Sequence, residues 1–233
     1  MSALSKPLAP VVYPETDDMG EHELQRFITE LLRPMIEAYL RERGIVAHAG
    51  ADTFFYYVEG DPGCRFAPDL YVLEGVPQDL AVASWKLWEG TPAPRFALEI
   101  VSRDVAKDYA RTPEIFGQVG GEELVLFDPE PPSSSRRRAL WTVFRRGAEG
   151  FRMVEQSNGD RVYSEVLGCF LRVVGEGART RLRLALPPDG DELVPTEAEA
   201  RLRVEARAAA DRLALKAENQ RLLAELAALR RRS

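Results

Sequence analysis

The sequence predicts an α/β domain, in which helices flank a mixed β-sheet, followed by a long C-terminal helix. Three observations lead to this prediction. An amphipathic helix precedes a series of short apolar runs, and a second helical stretch lies between two of those runs. From Thr196 onward the composition turns to Ala, Arg, Glu and Leu without Gly or Pro. We expect an N-terminal extension over residues 1–20, a folded domain over 21–195 and a helix over 196–233.

The composition limits the classes of function. A chain of 233 residues with 45% hydrophobic residues is long enough for one core and an appendage. The net charge of −6 argues against a protein that coats nucleic acid through bulk electrostatics, so any nucleic-acid contact must be local. Basic clusters at residues 136–138, 145–146 and 230–232 are interpreted as solvated loops or tails, with local nucleic-acid contact as the alternative.

Cysteine usage and hydropathy point to the cytoplasm. Cys64 and Cys169 are far apart and fit neither a disulfide framework nor a zinc site, so we expect both to be buried small hydrophobic residues. No run of eighteen apolar residues occurs, and the N-terminus lacks the organisation of a signal peptide. The sequence therefore predicts a soluble cytoplasmic protein with no membrane contact.

The first predicted helix spans residues 21–43. Within it, apolar residues recur at spacings of three and four, as is typical of an amphipathic helix packed on a core. Pro34 lies inside this pattern and lacks a backbone N–H, so we expect a kink or a break there. Gly44 marks the end of the helix.

Short runs rich in aromatic and β-branched residues follow this helix. IVAHA, TFFYYVEG and APDLYVLEG are interpreted as strands of one sheet, and residues 74–95 as a loop-rich excursion. The run RFALEIVS predicts a further strand, in which alternation places Phe96, Leu98 and Ile100 on one face. Glu99 lies on the opposite face, as a carboxylate in a mostly apolar strand.

The second half of the domain continues the alternation of helix and strand. A helix is predicted over residues 103–119, and the run GEELVLFDPE after it reads as a buried strand that ends at Asp128–Pro129. The runs ALWTVFRRG and GFRMVEQ predict a hairpin, and VLGCFLRVV with TRLRLAL predicts a second pair. We expect these strands to extend or flank the sheet.

The C-terminal helix carries a short heptad pattern. Leu215, Leu222 and Leu229 occupy d positions, and Asn219 and Leu226 occupy a positions. An Asn at an a position favours a parallel, in-register dimer, because its buried amide is satisfied only by the amide of the partner helix. The sequence therefore predicts a homodimer formed through a C-terminal coiled coil, and a solvated single helix is the alternative. Opposite charges at g and e′ support the pairing, namely Asp211 with Lys216 and Glu225 with Arg230.

Two carboxylates are candidates for chemistry. Asp69 begins one predicted strand and Glu99 lies in another, both in apolar surroundings. Two carboxylates that converge on a hard divalent cation leave coordination positions for a water and a phosphate oxygen. The alternative is that both are strand-end acids bonded to loop amides. No GxxxxGK[ST], GxGxxG or GxSxG motif occurs, so the sequence does not favour these other chemistries.

A set of motifs in this order and spacing resembles the Uma2 family, within the PD-(D/E)XK nuclease superfamily. The motifs are Pro68–Asp69, Ala97–Ser102, Asp108, Gly120 and Leu126–Pro129, and the resemblance covers roughly residues 20–175. It implies a restriction-endonuclease-like core and a divalent-metal-dependent endonuclease that hydrolyses phosphodiester bonds in DNA. It further implies that Asp69, Glu99 and the backbone carbonyl of Ile100 bind Mg²⁺ or Mn²⁺. Many members of the family also resemble this chain in ending with an Ala/Glu/Arg-rich helix.

The lysine and tyrosine that the resemblance implies are absent. The superfamily position two residues after Glu99 is Val101, and the positions used by many Uma2 proteins are Thr112 and Phe116. Thr112 precedes Pro113 and is itself predicted to be a helix N-cap. The alternative to an enzyme is therefore a catalytically inactive protein of this fold that serves as a coiled-coil interaction or nucleic-acid-binding module.

Other side chains are candidates for the missing charge or for a further acid. Lys107 lies in the turn before the second helix and is the predicted catalytic substitute for the lysine, with Arg111 and Lys86 as weaker substitutes. Each is a solvated surface cation in the alternative interpretation. Glu23, beside His22 in the first helix, is a further candidate acid, although the helix dipole also accounts for an acid there.

Overall fold

The computed structural model describes residues 23–102, 104–132, 135 and 137–231. The predicted extension over residues 1–20 and His22 lie outside the described residues. The chain divides into two compact units, of which one ends at Val194 and the other begins at Pro195. Each unit is considered by itself.

The described residues form three α-helices and twelve β-strands. In chain order these are α1 (Glu23–Glu42), β1 (Ala47–Gly50), β2 (Phe54–Tyr56), β3 (Arg65–Phe66), β4 (Leu70–Glu74), β5 (Ser84–Lys86), β6 (Phe96–Ile100), α2 (Thr112–Gln118), β7 (Glu123–Phe127), β8 (Trp141–Gly147), β9 (Gly150–Ser157), β10 (Arg161–Ser164), β11 (Cys169–Val174), β12 (Arg181–Ala185) and α3 (Glu197–Arg230). A π-helical turn, Lys107–Arg111, leads directly into α2, and 3₁₀ turns lie at Leu87–Glu89 and Gly177–Arg179.

Helix α1 is continuous from Glu23 to Glu42 with Pro34 inside it, so the predicted break does not occur. The amphipathic pattern is confirmed, because one face of the helix, including Leu32 and Ile36, is buried. Gly44 adopts a φ of 71°, the left-handed conformation that glycine reaches without a Cβ penalty. The following amide of Ile45 then bonds the Leu40 carbonyl at 3.0 Å, which closes the helix end.

The central sheet is mixed, as predicted. Its strands lie in the order β1-β4-β6-β7-β8-β9. Strands β6 and β7 are parallel, with the π-helical turn and α2 between them in the chain, and the remaining neighbours are antiparallel. The predicted hairpin is confirmed as β8–β9, which forms one edge of the sheet.

The prediction that all the early strands share one sheet is wrong. Strand β2 pairs with β3 and with β5 in a separate three-stranded sheet, and β5 lies inside the stretch predicted as loop. The chain leaves β1 through Asp52, which adopts a positive φ of 50° and redirects it away from the central sheet. Phe55 then stacks on Phe66 and Trp85 of its own sheet partners, so these strands bury their aromatic rings together.

The later pair of runs forms a third sheet of β10, β11 and β12, all antiparallel. Its predicted pairing of β11 with β12 is confirmed. Cys169 of β11 is buried as expected. Cys64 is only partly buried, which corrects the expectation for it, and its thiol donates to Asp61 Oδ2 at 3.2 Å.

The two faces of the central sheet contribute to two separate apolar clusters. Leu98 packs with Leu32 of α1 in one cluster, whereas Ala97 packs with Phe116 of α2 in the other. The predicted alternation along β6 is therefore confirmed. Glu99 follows the period of Ala97 and lies on the second face.

The second unit is helix α3. Thr196 Oγ1 accepts from the Glu199 amide at 3.2 Å and Glu199 Oε2 accepts from the Thr196 amide at 2.9 Å, which is a capping box. Its large apolar side chains are exposed, Leu215, Leu222 and Leu226 among them. In the part of the chain that the structure describes, no helix has the length and apolar character needed to cross a membrane.

Candidate metal centre

The structure places Asp69 and Glu99 at the same end of the central sheet. Asp69 immediately precedes β4, and Leu70 of that strand pairs with Leu98 of β6. The next position of this antiparallel register sets Asp69 opposite Glu99, where side chains point to the same face. Both acids are buried, with 6% and 4% of their surface exposed.

Asp69 is held by two donors from different elements. The Ile100 amide of β6 donates to Oδ2 at 2.5 Å, and the Gln25 side chain of α1 donates to Oδ1. Gln25 was not singled out from the sequence, because its bond to Asp69 spans 44 residues. The only local signal for it is a polar side chain in the first turn of an amphipathic helix.

Glu99 has no comparable support. The hydrogen bonds described at the acid pair go to Asp69, and none is described to the Glu99 carboxylate. The alternative interpretation was that both acids are strand-end residues bonded to amides. It accounts for part of the environment of Asp69, but it does not account for the burial of Glu99. A buried carboxylate without a donor is costly when charged, so it calls for a proton or a cation.

Burial raises the pKa of the Asp69 carboxyl to about 8, with the Ile100 amide opposing this and the Asp52 charge adding to it. Burial also raises the pKa of the Glu99 carboxyl well above its usual range, and the charge of Asp69 raises it further. The positive charge of Lys107 lowers the pKa of both groups. The two acids thus form one interacting pair, and Lys107 lies close enough to act on both.

Lys107 is exposed and begins the π-helical turn, where its charge influences the acid pair. Lys86 instead forms an ion pair with Glu89 at 3.1 Å. Arg111 acts on other groups: burial raises the pKa of Tyr57 and the Asp61 hydrogen bond raises that of Cys64, and the charge of Arg111 opposes both changes. Of these three candidate cations, Lys107 is therefore the one whose charge acts on the acid pair.

The prediction that Thr112 is a helix N-cap is wrong. Its backbone is helical, with φ −63° and ψ −47°, because the helical segment has already begun before the π-helical turn. Asp104 caps that earlier start, since its Oδ1 accepts from the Lys107 amide at 3.1 Å. Thr112 continues the segment and is buried.

Thr112 and Phe116 occupy the positions implied for the missing lysine and tyrosine. Neither supplies an ammonium group or a phenol hydroxyl to the acid pair. Phe116 is fully buried in the second apolar cluster, where its ring meets Phe66 and Phe151. Glu23 is exposed, and α1 contributes Gln25 to Asp69 instead.

The contacts of Asp128, which follows the end of β7, indicate a structural role. The Arg138 guanidinium binds it through two bonds, Nε to Oδ2 at 2.7 Å and Nη2 to Oδ1 at 3.0 Å. The Tyr109 hydroxyl donates to the same carboxylate at 3.1 Å, and burial raises the pKa of Tyr109 to about 12. Asp128 therefore anchors the end of β7 to the helical segment.

The atoms available as metal ligands at the acid pair are hard oxygen atoms. Across the residues described, no three His, Cys, Asp or Glu side chains cluster as a metal site, so Asp69 and Glu99 would need backbone oxygen or water to complete a coordination sphere. Carboxylate, carbonyl and water oxygen atoms are the ligands preferred by Mg²⁺ and Mn²⁺. The donor set thus fits such an ion.

Comparison with known proteins places this chain in a class of nuclease-related proteins. A family model described as "Putative restriction endonuclease", that of Uma2, matches residues 14–173, well over half of the chain. The chain belongs to the Uma2 family. It also resembles the crystal structure of "a putative nuclease belonging to DUF820 from Anabaena variabilis", at 14% identity and a TM-score of 0.44, over 63% of this chain and 75% of that one. No curated protein matches the chain.

Proposed function

We propose that this protein is a magnesium-dependent endonuclease that hydrolyses phosphodiester bonds in DNA in the cytoplasm, with Asp69 and Glu99 as metal ligands. One observation carries the proposal. Two buried carboxylates oppose each other at the end of the β4–β6 pair, and the two hydrogen bonds that fix Asp69 do not extend to Glu99. A divalent cation between them would neutralise the charge that burial disfavours.

Three groups would hold the ion, namely the Asp69 and Glu99 carboxylates and the Ile100 carbonyl. When bound, Mg²⁺ or Mn²⁺ supplies activation of a water and neutralisation of charge on the phosphate. The Gln25 side chain and the Ile100 amide fix the orientation of Asp69, since each bonds a different oxygen. Such fixed ligands bind an ion without the entropic cost of ordering them.

Lys107 takes the catalytic role of the absent family lysine in this proposal. Lys107 is exposed at the surface and its charge acts on both acids. A cation in that place stabilises negative charge that develops on the phosphate, and it orients water by donating hydrogen bonds.

Calorimetric titration of Mg²⁺ and Mn²⁺ tests the metal site. We expect binding to the unmodified protein and its loss in Glu99→Ala, because one of two carboxylates is removed. If the unmodified protein binds neither ion, with and without a non-cleavable DNA duplex present, the proposal is wrong. The duplex matters because substrate oxygen atoms can complete a metal site.

Gln25→Ala is expected to weaken Mn²⁺ binding by about 10- to 100-fold, as is typical when a residue that orients a metal ligand is lost. The reason is that Asp69 Oδ1 loses its donor and the carboxylate gains rotational freedom. Glu30→Gln, an exposed change on the same helix, is the control and should leave the affinity unchanged. Equal affinities in all three proteins would exclude an orienting role for Gln25.

A second candidate function is a non-catalytic module of the same fold, acting in protein interaction or nucleic-acid binding. The observation in its favour is that Thr112 and Phe116, at the implied lysine and tyrosine positions, are both buried. Such a module would tolerate Asp69→Asn and Glu99→Gln without loss of function, whereas a metal enzyme would not. The two candidates are therefore separated by the same pair of variants.

Homodimerisation through α3 is part of the proposal. The leucines at a and d positions are exposed and Asn219 interrupts them, which is the pattern of a parallel two-stranded coiled coil. Most of the stability of helices in proteins comes from packing of an apolar face, so a partner helix on these leucines would stabilise α3. A dimer would bring two domains to one DNA molecule.

Deleting residues 211–233 is expected to convert a dimer into a monomer while the first unit stays folded. Light scattering gives the mass, and circular dichroism of the strand-rich unit is the control for folding. Asn219→Ile should relax the preference for two strands, because the buried amide pair is lost. An unchanged mass after the deletion would refute the coiled-coil assignment.

A further inference from the structure

The helical segment that carries Lys107 is tied to the strand that carries Glu99. Asp108 is 1% exposed, and its Oδ2 accepts two hydrogen bonds from Ser102, the residue three positions after Glu99. The Ser102 amide donates at 2.6 Å and the Ser102 hydroxyl at 2.9 Å. Both bonds converge on one carboxylate oxygen, so they hold Ser102 and Asp108 in a fixed relation.

A second set of bonds runs from the same serine back to Lys107. Ser102 Oγ accepts from the Asp104 amide at 3.1 Å, and Asp104 Oδ1 accepts from the Lys107 amide at 3.1 Å. The backbone on both sides of Lys107 is therefore anchored to the end of β6. We name this set of bonds among Ser102, Asp104, Lys107 and Asp108 the Ser102 latch.

The turn itself is unusual. The Thr112 amide donates to the Lys107 carbonyl, five residues earlier, which defines a π-helical turn. Such turns are rare and occur frequently at functional sites. Here the turn coincides with the exposed Lys107, whereas Thr112, four residues after Asp108, is buried.

We infer that Asp108 is a positioning residue, which through the Ser102 latch holds the π-helical turn so that Lys107 faces the Asp69–Glu99 pair. The inference rests on the proposed function and deepens it, because it explains how a cation reaches the pair although Thr112 replaces the family lysine. Asp108 acts on Lys107 through its hydrogen bonds, and its charge separately raises the pKa values of Asp69 and Glu99. Its own contact is with Ser102, not with substrate.

Kinetic variants separate positioning from charge. Asp108→Ala is expected to lower kcat on a DNA duplex with Mg²⁺ by about 10- to 100-fold, with KM nearly unchanged, because small displacements of a reacting group have effects of this size. Asp108→Asn should retain most of the activity, since both bonds go to one oxygen that an amide carbonyl can replace. Equal losses in the two variants would overturn the hydrogen-bond role.

A double-mutant cycle tests whether Asp108 acts through Lys107. In a Lys107→Ala background, Asp108→Ala should cause little further loss of kcat, because the group being positioned is already absent. Glu114→Gln, an exposed change on α2, is the control and should not change kcat in either background. Fully additive losses would contradict the inference.

A measurement independent of cleavage follows the position of residue 107. In a Cys64→Ser, Lys107→Cys protein at about pH 9, where the acid pair carries negative charge, a cationic thiosulfonate should modify the new thiol faster than an anionic one. Buried Cys169 gives little background. Asp108→Ala should bring the ratio of the two rates close to that of the exposed control Lys216→Cys. Asp108→Asn removes the same charge but keeps an acceptor oxygen for Ser102, so it should lower the ratio much less.

The two readouts distinguish the two ideas. A ratio that falls much further in Asp108→Ala than in Asp108→Asn supports the positioning role, even if the unmodified protein cuts no DNA and the proposed activity fails. A ratio that stays unchanged while the unmodified protein cuts DNA overturns the positioning role and leaves the activity standing.

Discussion

Glu99→Gln is expected to lower kcat for magnesium-dependent DNA cleavage by about a thousandfold or more. Stabilisation by the bound ion amounts to several kcal/mol at the transition state, and each ~1.4 kcal/mol is a factor of ten in rate. Glutamine has nearly the shape of glutamate, so packing on the second face of the central sheet is preserved. The loss would therefore report on charge at the metal site.

The measurement is the cleavage of a supercoiled plasmid and of a linear duplex at fixed Mg²⁺ concentration, with the proteins purified in parallel. Glu59→Gln, an exposed loop change of the same chemistry, is the matched control and should cut at the rate of the unmodified protein. Cleavage that persists in Glu99→Gln would assign the activity to a contaminant or to another site, and would contradict the proposal.

The sequence predicted those features that depend on local periodicity. Alternation along β6 identified the face of Glu99 correctly, because side chains in a strand alternate with a period of two. The β8–β9 hairpin was predicted for the same reason, since its two strands are adjacent in the chain. Features of this kind need no knowledge of distant residues.

Local periodicity could not predict which strands pair when they are distant in the chain. Strand β2 has the composition expected for the central sheet, and only the turn at Asp52 and the aromatic contacts of Phe55 direct it into a different sheet. Gln25 could not be predicted from the sequence either, because its contact with Asp69 depends on how α1 lies against the strand ends. Contacts across dozens of residues follow from the fold rather than from spacing.

The helical segment shows how one local rule can be overridden by another. Thr112 with Pro113 satisfies the rule for a helix start, yet Asp104 already caps the segment eight positions earlier. The helix passes through Thr112 by way of the π-helical turn. The Ser102 latch was not predicted either, because the hydrogen bond between Ser102 and Asp108 depends on the path of the chain from β6 into the helical segment.

In the absence of metal, the stability of the first unit is expected to fall as pH rises from about 5 to about 9. The Asp69 carboxyl has a pKa of about 8 in the folded protein against an ordinary value of 3.8, and the pKa of Glu99 is also raised. The folded state thus binds protons that the unfolded state has released. This contribution to stability is fully present below pH ~4 and is lost as pH rises through ~8, on the order of a few kcal/mol.

Magnesium should reverse this loss at high pH, because the ion binds the ionised pair. At a concentration 100 times its Kd, a ligand specific for the folded state adds about 2.7 kcal/mol to the free energy of unfolding. Urea denaturation between pH 5 and pH 9, with Mg²⁺ or EDTA, measures both effects. Asp69→Asn should reduce the pH dependence without removing it, because burial still raises the pKa of Glu99. The same variant should abolish the response to Mg²⁺, since one of the two carboxylate ligands is lost. If that variant keeps the slope and the Mg²⁺ response of the unmodified protein, the titrating groups and the metal ligands lie elsewhere in the protein.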